Sequence, residues 1–182
     1  MYNDPVKSFL ERWSVFMPKR SLVKLVYAAL FAALTFVGTF YLHVTLPFGY
    51  FNLGDAVLLI AAFMLGGGYG AAAAALGAAL ADVALGFAAY APATLVIKAA
   101  MALAAWSIAT VLSKRGDKAR TGGHILAAVV AETVMVGGYY LYDSLLYGFV
   151  PALSAVPGNL LQGAVGVVAG VAGWWLLRRV KL

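Results

Sequence analysis

Residues 22–42 read LVKLVYAALFAALTFVGTFYL, an apolar run with one charged side chain, Lys24. A helix needs about 20 such residues to cross the hydrocarbon core of a bilayer. The whole chain of 182 residues is 64% hydrophobic and 11% charged, whereas soluble domains carry about 25% charged residues. Lipid must therefore be the solvent for most of the surface, which predicts a multi-pass, all-α integral membrane protein.

Six transmembrane helices account for the length of the chain. We expect one membrane domain over 1–182, in which residues 1–20 form a short amphipathic helix in the membrane interface and residues 21–182 form a six-helix bundle. Such a chain has no room for a soluble catalytic domain. The predicted spans are Leu22–Leu42, Gly54–Leu65, Tyr69–Phe87, Pro92–Leu112, His124–Tyr147 and Gly158–Leu177.

The basic residues fix the expected orientation. All but Lys98 fall in three clusters: before or at the start of the first span, between the fourth and fifth spans, and after the sixth. With six spans, all three lie on one side, and the positive-inside rule places both termini in the cytoplasm. The net charge of +6 is thereby explained by topology, and no nucleic-acid partner is expected. The clusters are Lys7, Arg12, Lys19, Arg20 and Lys24; Lys114, Arg115, Lys118 and Arg120; and Arg178, Arg179 and Lys181.

Several kinds of chemistry have no motif here. The sequence contains no cysteine, so thiolate metal sites and cysteine nucleophiles are excluded. It has no phosphate-binding loop ending in Lys-Ser or Lys-Thr and no HExxH pair. We therefore expect no catalytic residues, metal or cofactor, and no ATPase site of the chain's own.

Polar residues within an apolar bundle are costly and usually paired or functional. Most of those outside the basic clusters fall toward the outer ends of the predicted helices, which indicates an outward-facing polar pocket with aromatic walls. Glu132 lies deeper and needs either a partner or a neutral, protonated state. The candidate substrate-binding residues are Glu132, Asn159, Lys98, Asp143, Tyr139, Gln162 and Asn52.

Structural roles remain open for several of these polar groups. Asn52 or Asp55 can cap the second helix. Asp82 and Lys98 can form an ion pair between the third and fourth helices without touching a ligand. The sequence does not decide whether Asp55, Asp82 and Lys98 are structural or bind substrate.

Small residues spaced by four favour close helix packing in lipid. The first helix offers Ala28 with Ala32 and Ala29 with Ala33. These ridges can pack inside the protein or against another membrane subunit, and spacing alone does not separate the two.

The stretch from Pro47 to Ala102 carries a specific resemblance. It contains a loop with an Asn-Leu-Gly-Asp element, a glycine-rich turn, an Ala-Asp pair and a Tyr-Ala-Pro element followed by a lysine. In this order they resemble the substrate-binding (S) subunits of energy-coupling factor (ECF) transporters, and in particular the riboflavin-type group that includes subunits for hydroxymethylpyrimidine and pyridoxine. The elements are Asn52-Leu53-Gly54-Asp55, Gly66 to Gly70, Ala81-Asp82, and Tyr90-Ala91-Pro92 with Lys98.

The resemblance implies a division of labour. Such subunits bind a vitamin or vitamin precursor from outside the cell, the loop after the first helix closes over the site, and helices four to six supply most ligand contacts. A scaffold membrane subunit and two ATPase subunits drive uptake. The small-residue face that meets the scaffold corresponds to Ala28, Ala29, Ala32 and Ala33. The competing interpretations are a structural or assembly membrane protein and a stand-alone secondary transporter.

Overall fold

The computed structural model describes residues 19–45, 50–114 and 117–180. These residues form seven α-helices, one 3-10 turn and one short hairpin. The elements are α1 (Lys19–Phe40), β1 (His43–Thr45), β2 (Tyr50–Asn52), α2 (Gly54–Leu65), α3 (Gly67–Ala84), α4 (Ala91–Ser113), α5 (Asp117–Tyr147), α6 (Phe149–Ala152), the 3-10 turn Leu153–Ala155 and α7 (Val156–Leu177).

The all-α membrane fold expected from hydropathy is confirmed. In the described residues, five helical spans are long and apolar enough to cross a membrane, and α2 is a shorter apolar helix of 12 residues. The interfacial helix predicted for residues 1–20 lies outside the described residues up to position 18, and Lys19 already belongs to α1. The five spans are Ser21–Phe40, Gly67–Ala84, Ala91–Ser113, Arg120–Tyr147 and Phe149–Leu177.

The short helix α2 lies at the centre of the bundle. It contacts α1, α3, α4 and α7, and Leu58 and Leu59 at its middle are fully buried. A helix that is apolar all round belongs in such a position. It ends at Gly66, whose positive φ of 87° is accessible to glycine at little cost, and α3 begins at the next residue.

Small residues allow α1, α2 and α3 to approach closely. A Cβ atom on Gly70 would lie 2.8 Å from the Cα of Ala62, and one on Gly77 would overlap the carbonyl oxygen of Ala32. On α1, Ala28 is buried in the cluster that includes Ala73. Small residues thus set the spacing of these three helices, and Phe31 and Leu65 complete the same cluster.

The structure divides the alanines of α1 between two faces. Ala28 is buried and Ala32 is half-buried, and both lie toward α3, whereas Ala29 and Ala33 are exposed. The two ridges therefore point in different directions, and only the Ala29 and Ala33 ridge is available to another subunit.

Some boundaries differ from the sequence-based expectations. The segment between the first two helices, for which the sequence predicted no regular structure, contains two short antiparallel strands that pair His43 with Asn52. Helix α5 begins at Asp117 instead of His124, about two turns earlier, because the helix continues past the end of the apolar run from which the boundary was predicted. Helix α3 ends at Ala84 and not at Phe87, where Gly86 takes a positive φ.

Candidate substrate site

A cavity of about 540 Å³ lies at the end of the bundle opposite the basic clusters. It is lined by the end of α1, the end of β2, the end of α3 with the loop to α4, the adjoining ends of α4, α5 and α7, and the segment of α6 and the 3-10 turn between α5 and α7. The lining residues are Thr39, Asn52, Ala78, Asp82, Phe87, Tyr90, Thr94, Lys98, Tyr139, Asp143, Tyr147, Pro151, Ala152, Ser154, Ala155, Asn159 and Gln162.

Six of the seven residues that the sequence proposed for substrate binding line this one cavity. They come from β2, α4, α5 and α7, which are up to 110 positions apart in the chain. Glu132 is the exception. The six are Asn52, Lys98, Tyr139, Asp143, Asn159 and Gln162.

A buried polar network forms one wall of the cavity. Lys98 Nζ donates to Asp55 Oδ1 at 2.5 Å, and Gln162 Nε2 donates to Asp55 Oδ2 at 2.6 Å. The backbone N–H and the side-chain Nδ2 of Asn52 both donate to Gln162 Oε1 at 3.0 Å. Because these bonds fix both ends of the Gln162 amide, its orientation is determined and the hairpin, α2, α4 and α7 are joined at one point.

This network resolves two alternatives that the sequence left open. Asn52 Oδ1 accepts a hydrogen bond from the Gly54 N–H at 2.9 Å, so Asn52 supports the start of α2, whereas Asp55 forms the ion pair of Lys98. The pairing of Lys98 with Asp82 is therefore replaced by one with Asp55, because the central position of α2 brings that carboxylate to the lysine. Asp82 lines the cavity.

Tyrosines form the aromatic part of the wall. The ring of Tyr139 lies 5.4 Å from Lys98 Nζ, and its hydroxyl shares a hydrogen bond of 2.9 Å with Thr94. Tyr90 donates to Asp143 Oδ1 at 2.7 Å. Burial and, next, the hydrogen bond to Asp143 raise the pKa of Tyr90 far above its usual value, so its hydroxyl remains a donor at physiological pH.

The sequence contained a signal for lining residues that were not proposed. Two sets of side chains recur every four residues, which places each set along one face of a helix. Each face carries at least one residue already proposed, so its neighbours at that spacing were candidates too. The sets are Tyr90, Thr94 and Lys98, and Tyr139, Asp143 and Tyr147.

Glu132 lies on α5 behind this wall. A Cβ on Gly163 of α7 would be 3.1 Å from the Glu132 Cβ, and one on Gly166 would overlap its carboxyl group and lie 3.3 Å from the Asp55 Cβ. Glu132 is 4% exposed, and among the described residues neither of its carboxyl oxygens has a hydrogen-bond partner. It is therefore adjacent to the network without lining the cavity.

Metal chemistry has no site in the described part of the chain, where no group of three His, Asp or Glu side chains is placed to hold an ion. The arrangement instead suits a small molecule with a flat ring and polar edges. Aromatic faces and a few fixed polar groups are the usual composition of such a pocket.

Comparison with known proteins agrees with this geometry. Residues 19–179 match the family described as ECF-type riboflavin transporter, S component. A protein of Pyrococcus woesei, described as "Uncharacterized protein in gap 3'region", is 31% identical over 132 residues, which cover 72% of this chain and 84% of that protein. The resemblance drawn from the sequence is thus confirmed. The chain belongs to the family of ECF-type riboflavin transporter S components, the substrate-binding membrane subunits of vitamin uptake systems.

Proposed function

We propose that this chain binds a small hydroxylated heteroaromatic vitamin or precursor, of the hydroxymethylpyrimidine or pyridoxine kind, in the cavity beside Lys98. The observation that carries the proposal is the combination, in one cavity, of tyrosine rings with fixed amide, ammonium and carboxylate groups. A flat ring can stack on tyrosine, while hydroxyl and ring-nitrogen groups need partners of both hydrogen-bonding senses.

The polar groups divide into donors and acceptors for such a ligand. Lys98 has three donors, of which the Asp55 bond uses one. Asn159 offers both a donor and an acceptor, and Asp143 has an oxygen beyond the one that Tyr90 occupies. Asp55 is not a lining residue, so its role is to hold Lys98 in position.

Riboflavin is the second candidate, because the matching family is described by that ligand. A cavity of about 540 Å³ also lies within the range of about 300–1,000 Å³ that is usual for ligand pockets. A single small ring would leave part of this volume to water, whereas a larger ring system would fill it.

Equilibrium binding to the purified protein tests the proposal. Calorimetry with hydroxymethylpyrimidine, pyridoxine and riboflavin should give sub-micromolar affinity for one of them, and mass spectrometry of any copurified molecule should agree. Asn159→Ala should weaken binding at least tenfold, a loss of about 1.4 kcal/mol or more. Thr133→Ala is a suitable control, because Thr133 is exposed on the outer face of α5. Tight binding of none of these or related vitamins would favour a structural or assembly protein instead.

Glu132 stays a proposed contributor to binding, acting through the network rather than as a lining group. Its carboxyl group has no hydrogen-bond partner among the described residues and lies against Gly166 beside Asp55, so a change at Glu132 would act on the carboxylate that holds Lys98. Glu132→Gln should then weaken ligand binding while the protein still folds and inserts. Unchanged affinity in that variant would limit Glu132 to helix packing.

We further propose that the protein lies in the cell membrane, delivers its ligand to a scaffold membrane subunit, and depends on two ATPase subunits for uptake. The exposed Ala29 and Ala33 ridge supports contact with another helix, since small side chains permit close approach. Uptake that persists without the ATPases would favour a stand-alone secondary transporter.

A further inference from the structure

A second cavity, of about 470 Å³, lies at the opposite end of the bundle. It is formed where α2, α4, α5 and α7 meet near the basic clusters, which the positive-inside rule assigns to the cytoplasm. Its walls combine aromatic rings with basic side chains. The residues that matter here are Phe63, Trp106, Lys114, Arg120, His124 and Trp174.

The aromatic part of this cavity is tightly organised. The rings of His124 and Trp174 stack with centroids 3.6 Å apart and an angle of 15° between their planes, and Phe63 meets His124 edge-on at 4.7 Å. His124 Nδ1 donates to the carbonyl oxygen of Arg120 at 2.7 Å. The imidazole is therefore held in one orientation, and its other nitrogen is not used by this bond.

The basic part of the cavity has no carboxylate partner within the described ranges. Lys114 and Arg120 are both exposed, and the Arg120 guanidinium lies 6.0 Å from the Trp174 ring. In the ranges that the structure describes, the ion pair between Lys98 and Asp55 is the one present, so neither cation is paired with a carboxylate there. The cavity thus offers two positive charges, unpaired as far as the described residues go, beside a wall that includes the hydroxyls of Thr110 and Ser113.

An apolar groove lies along α5 and α7. Its lining includes Ile125 and Trp175, which directly follow His124 and Trp174 in the chain. The guanidinium of Arg178 lies 5.1 Å from the Trp175 ring. Consecutive helix residues differ by only 1.5 Å in depth, so a hydrocarbon chain along this groove would have its polar end at the level of the basic cavity.

We propose that this cavity binds the phosphate headgroup of an anionic phospholipid from the leaflet on that side. Two cations suit a phosphate diester, tryptophan and basic residues are characteristic of the membrane interface, and basic pockets between helices on the cytoplasmic side bind such headgroups. The apolar groove favours a lipid over a free phosphate, because a free phosphate has nothing to place there.

Binding of short-chain phosphatidylglycerol to delipidated protein tests the proposal, with short-chain phosphatidylcholine and inorganic phosphate as the other two ligands. Phosphatidylglycerol should bind. The double variant Lys114→Gln/Arg120→Gln should lower its affinity about 30-fold, because each basic side chain near an anionic lipid contributes about fivefold and the two factors multiply. Each single variant should weaken it about fivefold. Arg179→Gln removes one charge from the same end but not from the cavity, and should change the affinity less than twofold.

Vitamin binding in the opposite cavity shows whether each variant is folded. If the double variant does not bind the vitamin, the affinities of the two single variants for phosphatidylglycerol decide the question. Equal binding of phosphatidylcholine would overturn the proposal, because the charge would then be irrelevant. Inorganic phosphate that binds as tightly and competes fully would assign the cavity to a free phosphate and overturn the lipid. Full phosphatidylglycerol affinity in the single or double variants would place the lipid elsewhere.

Discussion

The buried ion pair between Lys98 and Asp55 gives the sharpest test of the substrate site. The two residues are 3% and 1% exposed, and their charged atoms are 2.5 Å apart. Asp55→Asn keeps the shape of the side chain but removes the charge and sets its Nδ2 against the Nε2 of Gln162. Gln162 cannot rotate to accept this new donor without losing its bonds to Asn52. Breaking a buried pair by removing one partner typically costs about 3–5 kcal/mol.

Removal of both charges should cost less than removal of one. Lys98→Met deletes the ammonium and leaves the Asp55 carboxylate buried, so this variant should also lose about 3–5 kcal/mol. The double variant Asp55→Asn/Lys98→Met contains neither uncompensated charge. We expect it to be more stable than either single variant, with a coupling energy of at least about 2 kcal/mol.

Thermal unfolding in detergent measures this cycle. At about 2–4 °C per kcal/mol for a chain of this size, each single variant should unfold roughly 6–20 °C below the parent protein, and the double variant should recover much of that loss. Ser107→Ala removes an exposed hydrogen bond on the same helix and should shift the midpoint by no more than about 2 °C. Additive losses in the double variant would refute the reasoning, because the two groups would then not be compensating each other.

Ligand binding by the same variants separates the two roles of Lys98. The lysine lines the cavity and Asp55 does not. The double variant should therefore fold but bind the vitamin at least tenfold more weakly, a loss of about 1.4 kcal/mol. Normal binding by the double variant would show that Lys98 is structural.

Three further expectations concern other faces of the protein. Ala29→Leu should leave vitamin binding intact but abolish copurification with the scaffold and ATPases. Ala28→Leu should instead destabilise the fold, since that side chain is buried. Equal effects of the two substitutions would contradict the assignment of the two alanine ridges to different faces. Tyr139→Ala should weaken vitamin binding at least tenfold, while Tyr139→Phe, which keeps the ring, should lose less than about fivefold; a larger loss in the phenylalanine variant would assign recognition to the hydroxyl. A cysteine at Val44 should react with an impermeant reagent in intact cells and one at Val180 should not, and the reverse would overturn the assigned orientation.

The lengths of apolar runs and the positions of glycine predicted most of the helices, because both determine the backbone conformation of the residues around them. The bounds of α2, Gly54–Leu65, are those expected from the sequence, since an apolar run ends there at a glycine with positive φ. The hairpin was not foreseen because its strands are three residues long. Strands of that length depend on pairing and tertiary contacts more than on their own composition.

The sequence could predict which polar residues gather at the cavity, but it could not predict which of them pair with each other. Polar residues in an apolar chain must gather where water, a ligand or each other can satisfy them, and this requirement identified six residues that line the cavity. The partner of Lys98 depends on where α2 sits within the bundle. Asp55 and Asp82 both lie toward the outer ends of their helices, so either carboxylate suits Lys98 by its depth in the membrane. Only the central position of α2 makes Asp55 the partner.

The shortness of α2 explains how the cavity, the hairpin and the network arise together. At 1.5 Å per residue, the 12 residues of α2 extend about 18 Å, well short of a hydrocarbon core of about 30 Å. Non-helical backbone at membrane depth is tolerated only where it is buried or lines a cavity, and Asn52 at the end of β2 lines the cavity. Asn52 stands at this junction, since it ends the hairpin, supports the first turn of α2 and bonds Gln162 on α7. A ligand beside Asn52 and Lys98 would therefore contact the hairpin and the centre of the bundle at once.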